Sequence, residues 1–472
     1  MSLIIPANTL SSGGYVVDNS LRFNDGSSDY LNKTFGSAGN RKTWTYSFWG
    51  KFSNNDINRT FISSSSDASN RTAMVWQDSD ALLFDYETGG TRYVIATTAK
   101  FRDLSAWYHI VWSIDTTQST ASDRVKLYVN NIQQTFTTLH NGFPPQNSDT
   151  FINSTNQHNI GKITWDNTYY YDGYLSEVCF IDGTALDATS FGEFDEDSGI
   201  WKPIDVSGLT FGTNGFYLDF EDSGALGDDV SGNGNDFTVN NLTAIDQTTD
   251  TCTTNFATLN PLNVPTSNAP TFSEGNLQSV SSSSASGSFG GSSTIGVSSG
   301  KWYIEAKALF SGHTQAAIGV TYNDAETART NNDATDSYEY IYRANGNKIH
   351  DNSASSYGDT YTTNDIIGIA IDLDNHKIYW SKNGTFQNSG DPTTGATGTG
   401  SAFDLDTGQT YMFFHQDNTG ASSNTSSFSF NFGSPAYAIS SGNADANGYG
   451  NFEYAVPSGY YALNTKNLSE FG

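Results

Sequence analysis

Short apolar and aromatic runs separated by polar turn residues recur along nearly the whole chain, and this pattern predicts β-strands. In the stretch VKLYVNNIQ, Val125, Leu127 and Val129 alternate with polar or amphipathic neighbours. Residues two apart face the same side of a strand, so this is the pattern of a half-buried strand. The pair Asn130-Asn131 then predicts a tight turn and a hairpin.

The stretch IIGIAIDLDNHKIYWSKNGTF, Ile366–Phe386, predicts a second hairpin near the C-terminus. Its pair Asn383-Gly384 is a strong tight-turn signal. No long run follows the 3.6-residue period of a helix, and we therefore expect an all-β protein. The apolar residues expected to share one face are Ile367, Ile369, Ile371 and Leu373 in the first strand, and Ile378 and Trp380 in the next.

Four segments in the N-terminal half follow one another in the order of a known fold. They read SLRFNDGSSDYLNKTF, WTYSFWGKF, AWYHIVWSIDTTQSTASDRVKLYVNNIQ and NIGKITWDNTYYYDGYLSEVCFIDGTAL. Together they resemble the laminin G-like, concanavalin A-like jelly roll over residues 20–205. Trp107-Tyr108-His109 corresponds to the Trp-x-His of that family, whereas Asn131 stands where the family usually has Gly. Asn tolerates the left-handed conformation, so the turn is compatible with the substitution.

The C-terminal half is similar to the SPRY (B30.2-like) domain over residues 270–436. The matching segments are SSGKWYIEAKALF, AAIGVTYND, the Ile366–Phe386 hairpin and SSFSFNFG. The resemblance implies a two-sheet β-sandwich that binds partners through loops at one end and is not an enzyme fold. The serine-rich run Ser281–Ser293 is expected to be a loop by its composition.

We therefore expect two β-sandwich (jelly-roll) domains joined by a connector with a small hairpin. The expected parts are an N-terminal arm (1–19), the laminin G-like jelly roll (20–205), the connector (206–269), the SPRY-like sandwich (270–436) and a C-terminal segment (437–472). The connector ends in the proline-containing stretch NPLNVPTSNAP, which is typical of a linker. This arrangement, with the closing segment VPSGYYALNTKNL, is similar to structural proteins of marine bacteriophages.

The charge of the chain argues against several classes of partner. The net charge is −28 and the pI is about 4.3, so the surface repels phosphate backbones and anionic lipid, and we expect neither nucleic-acid binding nor membrane insertion. The N-terminus lacks a basic region and no segment has about 20 consecutive apolar residues, so we expect neither a signal peptide nor a membrane span. The two cysteines, Cys179 and Cys252, are too few for a disulfide framework or a zinc site.

The stretch GFYLDFEDSG places Asp219 and Glu221 two residues apart in an apolar run. On one strand face, two carboxylates are what a glycosidase needs. In the Glu-x-Asp-x-Glu motif of the family-16 glucanases, which share the concanavalin A-like fold, Tyr217 stands where the nucleophile belongs, and the covalent intermediate cannot form by that route. We assign no catalytic residue, and a degraded or unusual glycoside hydrolase is kept as a third hypothesis.

Two sets of residues are candidates for binding. Asp229, Ser231, Asn233 and Asn235 alternate as the first ligands of an EF-hand-type calcium loop do, but position 12 of such a loop is Asn240 and not Glu. The same residues fit an ordinary Asx-rich turn, and both interpretations remain open. No cofactor is required, and Ca²⁺ is the one ion that the sequence suggests.

The second set consists of aromatic residues near turns. Trp165, Tyr169 and Tyr170 precede the last jelly-roll strand, and Trp76 and Tyr86 flank another turn. Aromatic faces stack on sugar rings, while neighbouring Asp and Asn bind hydroxyl groups. The alternative is that these residues close the end of the sandwich or pack against a neighbouring subunit.

The resemblances imply a non-enzymatic structural protein of a phage virion: a tail fibre, a tail-associated protein or a capsid appendage. Its expected partners are other virion proteins, further copies of itself in a homo-oligomer, and a host cell-surface glycan. The alternative is an extracellular lectin-like adhesin of a bacterium.

Overall fold

The structure is a computed structural model that describes residues 14–54, 57–265, 269–282, 288–323, 337–417 and 425–472. The described residues fall into two compact units, the first ending at Thr253 and the second beginning at Thr254. Both units are β-sandwiches whose strands pair almost entirely antiparallel, which confirms the predicted fold class. Of the expected arm, residues 1–13 lie outside the described residues. No helix in the described ranges is long and apolar enough to cross a membrane.

The described residues of the first unit form short strands and three turns of 3₁₀ helix. The helical turns are Ala121–Asp123, Ala188–Ser190 and Ala244–Asp246. The strands are β1 (Ser20–Phe23), β2 (Tyr30–Thr34), β3 (Thr43–Phe52), β4 (Arg59–Asp67), β5 (Asn70–Trp76), β6 (Leu82–Thr88), β7 (Thr91–Thr97), β8 (Trp107–Asp115), β9 (Val125–Val129), β10 (Ile132–Gln133), β11 (Phe136–His140), β12 (Gln157–Ile160), β13 (Gly173–Asp182), β14 (Gly192–Phe194), β15 (Trp201–Pro203), β16 (Phe216–Leu218), β17 (Thr238–Asn240) and β18 (Gln247–Thr248).

These strands form two sheets of eight strands each and one small hairpin. The first sheet has the order β10-β9-β8-β3-β13-β1-β18, and β16 also pairs with β13. The second sheet has the order β11-β7-β6-β5-β4-β12-β2-β17, and β14 pairs with β15. The inward residues of the two sheets pack together in one core that includes Tyr46, Phe48 and Trp112 from the first sheet and Met74, Trp76 and Phe84 from the second.

The first sheet is buried on its outer face as well. Trp49, Trp107 and Tyr174 point away from the main core and contact residues that follow the last long strand, such as Phe191 and Trp201. A sheet that is apolar on both faces needs a second covering layer, because its exposed apolar area would otherwise remain in water. Residues 186–217 provide much of that layer in this unit.

A buried ion pair ties the end of the first unit to the same sheet. Lys51 Nζ lies 2.8 Å from Asp250 Oδ2, and both side chains are at most 2 % exposed. Trp107 Nε1 donates a hydrogen bond to Asp250 Oδ1 at 3.2 Å. A paired and hydrogen-bonded charge tolerates burial, whereas an unpaired one does not.

Residues 206–269 were expected to connect the two sandwiches, but residues 206–253 belong to the first unit. Their strands β16, β17 and β18 pair with β13, β2 and β1. The physical reason is apolar burial, because Phe216, Leu218 and Phe237 all lie in the main core. The proline-containing stretch that follows also packs: Asn260 N donates to Ser292 O at 2.8 Å in the second unit.

In its described residues, the second unit contains the remaining strands, one α-helix and two 3₁₀ segments. The helical segments are Gln387–Ser389, Pro392–Thr397 and α1 (Thr465–Phe471). The strands are β19 (Thr271–Ser273), β20 (Gln278–Val280), β21 (Ser288–Ser292), β22 (Lys301–Ala308), β23 (Ala316–Thr321), β24 (Glu339–Arg343), β25 (Asn347–His350), β26 (Ser353–Ser356), β27 (Ile366–Asp372), β28 (Lys377–Lys382), β29 (Thr385–Phe386), β30 (Phe403–Asp404), β31 (Met412–Asp417), β32 (Ser427–Asn431) and β33 (Tyr461–Ala462).

The second unit also has two sheets, one of which is covered on its outer face. One has the order β19-β20-β32-β22-β27-β28-β29, with β30 on β28 and β33 parallel to β22, and the other has the order β21-β31-β23-β24-β25-β26. The outer face of the first of these sheets is covered by the C-terminal segment, where Phe452 and Tyr460 contact Tyr303 and Tyr379. The fully buried Glu305 carboxylate accepts the backbone N–H groups of residues 453 and 454 at 2.9 and 2.8 Å.

Both predicted hairpins are confirmed. Asn130 and Asn131 have φ angles of 48° and 65°, and Asn383 and Gly384 have φ angles of 47° and 79°, as a tight turn with two left-handed residues requires. The six residues expected to share one face of the C-terminal hairpin all lie in the core of the second unit. The serine-rich run is not a loop throughout, because Ser288–Ser292 forms β21 and pairs with β31.

We predict that Lys51→Met destabilises the chain by about 3–5 kcal/mol, because it leaves the Asp250 carboxylate buried without its cation. The double variant Lys51→Met/Asp250→Leu should recover a large part of that loss. Chemical denaturation measures both values.

Lys126→Met is the matched control, because Lys126 forms a half-exposed pair with Asp123 at 3.7 Å. We expect it to change the free energy of unfolding by less than about 1 kcal/mol. Equal effects of Lys51→Met and Lys126→Met would contradict the assigned role of the buried pair.

Candidate functional site

A groove of about 390 Å³ lies on the outer face of the second sheet of the first unit. It runs over β5, β6 and β7 and is bordered by β11 and by the loop that precedes β13. Its volume lies at the lower end of the range of pockets that bind small ligands. The residues that line it are Asn58, Arg71, Val75, Gln77, Leu83, Asp85, Arg92, Val94, Leu139, His140, Ile163, Trp165 and Tyr169.

The floor of the groove follows from strand alternation. Met74 and Phe84 point into the main core, so their neighbours Val75 and Leu83 point outward. Together with Val94 they form an apolar floor against which Trp165 packs. The outer face of this sheet is thus apolar at its centre.

The loop before β13 brings the aromatic residues to the groove. Ser63 Oγ donates to Lys162 O at 2.8 Å, and Thr60 N donates to Tyr169 O at 3.1 Å, so β4 holds both ends of the loop. Tyr169 has a φ of 55° and its side chain is 37 % exposed. A non-glycine residue in this conformation is uncommon, and such residues concentrate at functional sites.

A row of paired charged side chains crosses the groove. Arg92 donates two hydrogen bonds to Asp85, from Nε to Oδ1 at 3.1 Å and from Nη2 to Oδ2 at 2.8 Å. Arg71 reaches Asp85 at 3.4 Å and Glu87 at 2.8 Å, and its guanidinium lies 4.7 Å from the centre of the Trp165 ring. The hydrogen bonds that Arg92 donates to Asp85 raise the pKa of Arg92 above its ordinary value. These pairings fix the two arginines in place.

The structure brings together only part of the predicted aromatic set. Trp165 and Tyr169 line the groove. Tyr170 lies beside it, half-buried, where its ring contacts Tyr30 and the Lys162 ammonium lies 5.4 Å from its centre.

The structure corrects the prediction for Trp76 and Tyr86. Trp76 is fully buried and stacks on Phe52 with ring centres 4.3 Å apart. Tyr86 is 3 % exposed and packs against Tyr93 and Phe151. Both side chains belong to the main core, so neither offers a ring face to a sugar.

Sequence reasoning missed Arg71, Asp85, Glu87 and Arg92. The signal was present in the hairpin β6–β7, whose turn is Gly89-Gly90. That turn sets Glu87 opposite Arg92, and the preceding hairpin, β5–β6, sets Arg71 opposite Glu87. Opposite charges on facing positions of antiparallel strands stabilise each other, and such pairs can be sought once the turns are assigned.

The loop of Asp229, Ser231, Asn233 and Asn235 is held by its own hydrogen bonds. Asp229 accepts the backbone N–H groups of Ser231 and Asn235 at 3.0 and 2.8 Å. The amides of Asn233 and Asn235 donate to backbone carbonyls within 212–215. These contacts favour the Asx-turn interpretation over the calcium loop. Among the described residues, no group of three or more His, Cys, Asp or Glu side chains is placed to hold a metal.

Asp219 and Glu221 do not share a strand face, because β16 ends at Leu218. Phe220 has a φ of 60° and Glu221 N donates to Asp219 Oδ1 at 3.1 Å, so the chain turns there. The expectation of two carboxylates on one strand is therefore wrong. The turn follows from burial of Phe220 in the main core.

A different carboxyl is buried near this turn. Glu177 lies at a bulge of β13 with a φ of 51°, and its Oε2 accepts the Tyr217 hydroxyl at 2.8 Å and the Tyr15 hydroxyl at 3.3 Å. Burial, reinforced by Asp219 and Glu221, raises its pKa from 4.5 to about 7. The carboxyl is 6 % exposed, which leaves little room for a substrate.

We predict that the Glu177 carboxyl makes the chain less stable as pH rises. Its folded-state pKa is raised, so its contribution is fully retained below about pH 4.5 and is lost as pH rises through about 7. Between pH 5 and pH 8, Glu177→Gln should remove about 2–3 kcal/mol of the pH-dependent loss. Chemical denaturation at each pH measures it.

Glu196→Gln, which changes an exposed carboxyl of the same unit, is the control and should follow the unmodified chain. If Glu177→Gln showed the same pH dependence as the unmodified chain, the assigned environment of Glu177 would be incorrect.

Family models match both halves of the chain. Residues 25–189 match the model of the concanavalin A-like lectin/glucanases superfamily (Laminin_G_3), and residues 301–427 match that of the SPRY domain. The chain contains a concanavalin A-like domain followed by a SPRY domain. Both resemblances noted in the sequence are thereby confirmed. Domains of these two types are typically non-catalytic binding domains, and they indicate a binding or adhesin-like β-sandwich protein.

Individual relatives cover only parts of the chain. The SPRY domain of human HERC1 is 18 % identical and covers 33 % of this chain and 87 % of its own, with a TM-score of 0.27. A heptameric SAP-like pentraxin from Limulus polyphemus is 16 % identical and covers 37 % of this chain and 80 % of its own, with a TM-score of 0.28. The ATP-dependent RNA helicase DDX1 of Xenopus laevis is 34 % identical over 92 residues, which is 20 % of this chain and 12 % of that protein.

Proposed function

We propose that this chain is a non-enzymatic recognition protein of a bacteriophage particle, in a tail fibre, a tail-associated protein or a capsid appendage. The pairing of a concanavalin A-like domain with a SPRY domain supports a binding role. The similarity of this pairing and of the closing segment 456–468 to structural proteins of marine phages supports the location. Virion proteins assemble symmetrically, so the expected partners are other virion proteins and further copies of this chain.

The groove on the second sheet is the observation that carries the recognition role. It joins an exposed Tyr169, whose backbone is hydrogen-bonded to β4, and an apolar floor to paired arginine and carboxylate side chains that can hydrogen-bond hydroxyl groups. Sugars offer one apolar ring face and a rim of hydroxyls, so this combination suits a cell-surface glycan. The net charge of −28 disfavours nucleic acid and anionic lipid as ligands.

A secreted lectin-like adhesin of a bacterium is the second candidate, because the same groove serves either protein. Immunogold electron microscopy of virions from the source, with antibody to the SPRY domain, separates the two. Label on tails, fibres or capsids supports the virion role and identifies the position. Absence of label from every particle, with the chain found in the culture medium, overturns it in favour of the adhesin.

We predict that Tyr169→Ala weakens glycan binding by about fivefold to tenfold, as expected for the loss of one stacking ring. Binding of the purified chain to arrayed bacterial and algal polysaccharides measures the effect. Phe194→Ala is the matched control, because Phe194 is 52 % exposed in the same unit and does not line the groove. Equal losses in the two variants would contradict a groove-centred site.

We also predict that the chain releases no reducing sugar from those polysaccharides. The reason is geometric: Asp219 and Glu221 sit in a turn, and Glu177 is buried under Tyr15. Sugar release that is abolished by Glu221→Gln and retained in Tyr217→Phe would instead support a glycoside hydrolase.

A further inference from the structure

A second cavity of the first unit, of about 390 Å³, lies on the outer face of the first sheet, on the opposite side of the sandwich from the groove. We propose that this cavity, the acidic pocket, binds a small organic cation that carries primary ammonium groups. This inference is independent of the proposed glycan binding. The floor and walls of the acidic pocket include Ser113, Asp115, Asp123, Lys126, Tyr128 and Asp187.

The floor of the acidic pocket follows from strand alternation. Trp112 and Ile114 lie in the main core, so Ser113 between them on β8 points outward. Lys126 lies opposite Ser113 on β9, and Tyr128 follows two residues later on the same face. Tyr128 also packs against the layer that covers the outer face of the sheet. The pocket is therefore bounded by the sheet below and by this layer on one side.

The loop after β13 forms a hydrogen-bonded wall of the pocket. The Thr45 hydroxyl of β3 donates to Thr184 O at 2.8 Å and accepts the Leu186 backbone N–H at 2.8 Å. Asp187 follows directly, and its Oδ1 accepts the backbone N–H of residue 189 at 3.0 Å. The other carboxylate oxygen of Asp187 has no hydrogen-bond partner among the residues that the structure describes. One carboxylate oxygen of this wall is thus left for a ligand.

The pocket carries an excess of negative charge. Asp115, Asp123 and Asp187 share it with one cation, Lys126, so three carboxylates and one ammonium leave a net charge of −2. Lys126 Nζ lies 3.7 Å from Asp123 Oδ1, and in the described ranges neither Asp115 nor Asp187 has an ion-pair partner. Burial raises the pKa of Asp115, but hydrogen bonds from the residues two and three positions later outweigh it and lower that pKa below its ordinary value. The Asp115 carboxylate is therefore charged at neutral pH, and the pocket favours a cation and repels an anion.

A buried hydroxyl without a partner is the second observation that points to a ligand. Ser113 is 7 % exposed, and its hydroxyl has no hydrogen-bond partner in the part of the chain that the structure describes. Its neighbour Thr45, opposite it on β3, both donates to and accepts from the loop after β13. Buried polar groups are normally paired, so the Ser113 hydroxyl is left for a molecule in the pocket.

An organic ammonium ion fits these groups better than a metal ion does. Among the described residues, no three His, Cys, Asp or Glu side chains are placed to hold a metal, so the three carboxylates do not converge on one ion. A primary ammonium group has three N–H donors, which can contact a carboxylate and the Ser113 hydroxyl together. The half-buried Tyr128 ring lines the same pocket, and aromatic rings attract cations. Two ammonium groups on one short chain would balance the charge of the pocket.

The test compares three ligands that share a five-carbon chain. Cadaverine carries an ammonium group at each end, the matching amino alcohol carries one, and the matching diol carries none. Calorimetric titration of the full chain is done at neutral pH in about 150 mM KCl, which screens the distant charges of the acidic surface. We expect cadaverine to bind about tenfold more tightly than the amino alcohol and the diol not to bind. Equal binding of the diol, no detectable binding of cadaverine, or displacement of cadaverine by an equal concentration of Ca²⁺ overturns the inference.

Matched variants locate the bound cation. Asp187→Asn keeps the acceptor that caps the following turn but removes the charge, so it should weaken cadaverine binding by about fivefold to tenfold. Ser113→Ala should weaken the binding by about threefold and leave the unfolding transition unchanged. Asp197→Asn, which removes an exposed carboxylate elsewhere in the same unit, is the control and should change the affinity by less than about twofold. Equal losses in Asp187→Asn and Asp197→Asn would attribute the binding to the acidic surface in general and contradict the pocket.

Discussion

The structure depends on one constraint: a sheet that is apolar on both faces needs other residues to pack against each of those faces. In each sandwich the strands alternate between a main core and an outer layer that is also aromatic, exemplified by Trp49 and Trp107 in the first unit and Tyr303 and Tyr379 in the second. Each unit covers that layer with chain that follows its long strands. The burial of apolar area therefore determines where residues 186–253 and 437–472 lie, although they contain little regular structure.

In the first unit, the outer face of the first sheet is covered by other residues. The candidate site therefore lies on the outer face of the second sheet. That outer face is apolar around Val75, Leu83 and Val94, and charged towards one end of the same strands, where Arg71, Asp85 and Arg92 lie. A flat strand surface holds side chains in fixed positions, so the arginine–carboxylate pairs across β5, β6 and β7 are preorganised by the sheet itself. The loop that brings Trp165 and Tyr169 is in turn hydrogen-bonded to β4. Rigid strands and one anchored loop together make a recognition surface.

The fold class and both hairpins could be predicted from the sequence because they depend on local signals. The two-residue period and the pairs Asn130-Asn131 and Asn383-Gly384 act within one hairpin. The period does not show which of two apolar faces points to the main core, so Trp76 and Tyr86 were mistaken for surface residues. The two-residue period also does not show that residues 206–253 pair with the strands that begin near residue 20, because the paired strands are far apart in the sequence.

The candidate site shows the same division between local and distant information. The cross-strand pair Glu87 and Arg92 follows from the turn at Gly89-Gly90, so this half of the site is encoded within a dozen residues. The aromatic half comes from a loop some seventy residues later, and its approach depends on β12 pairing with β4 in the same sheet. Neither half is a site alone: the hairpin has no ring to stack on a ligand, and the loop has no fixed polar groups beside its rings. Recognition at this position is therefore a property of the sheet order and not of either sequence motif.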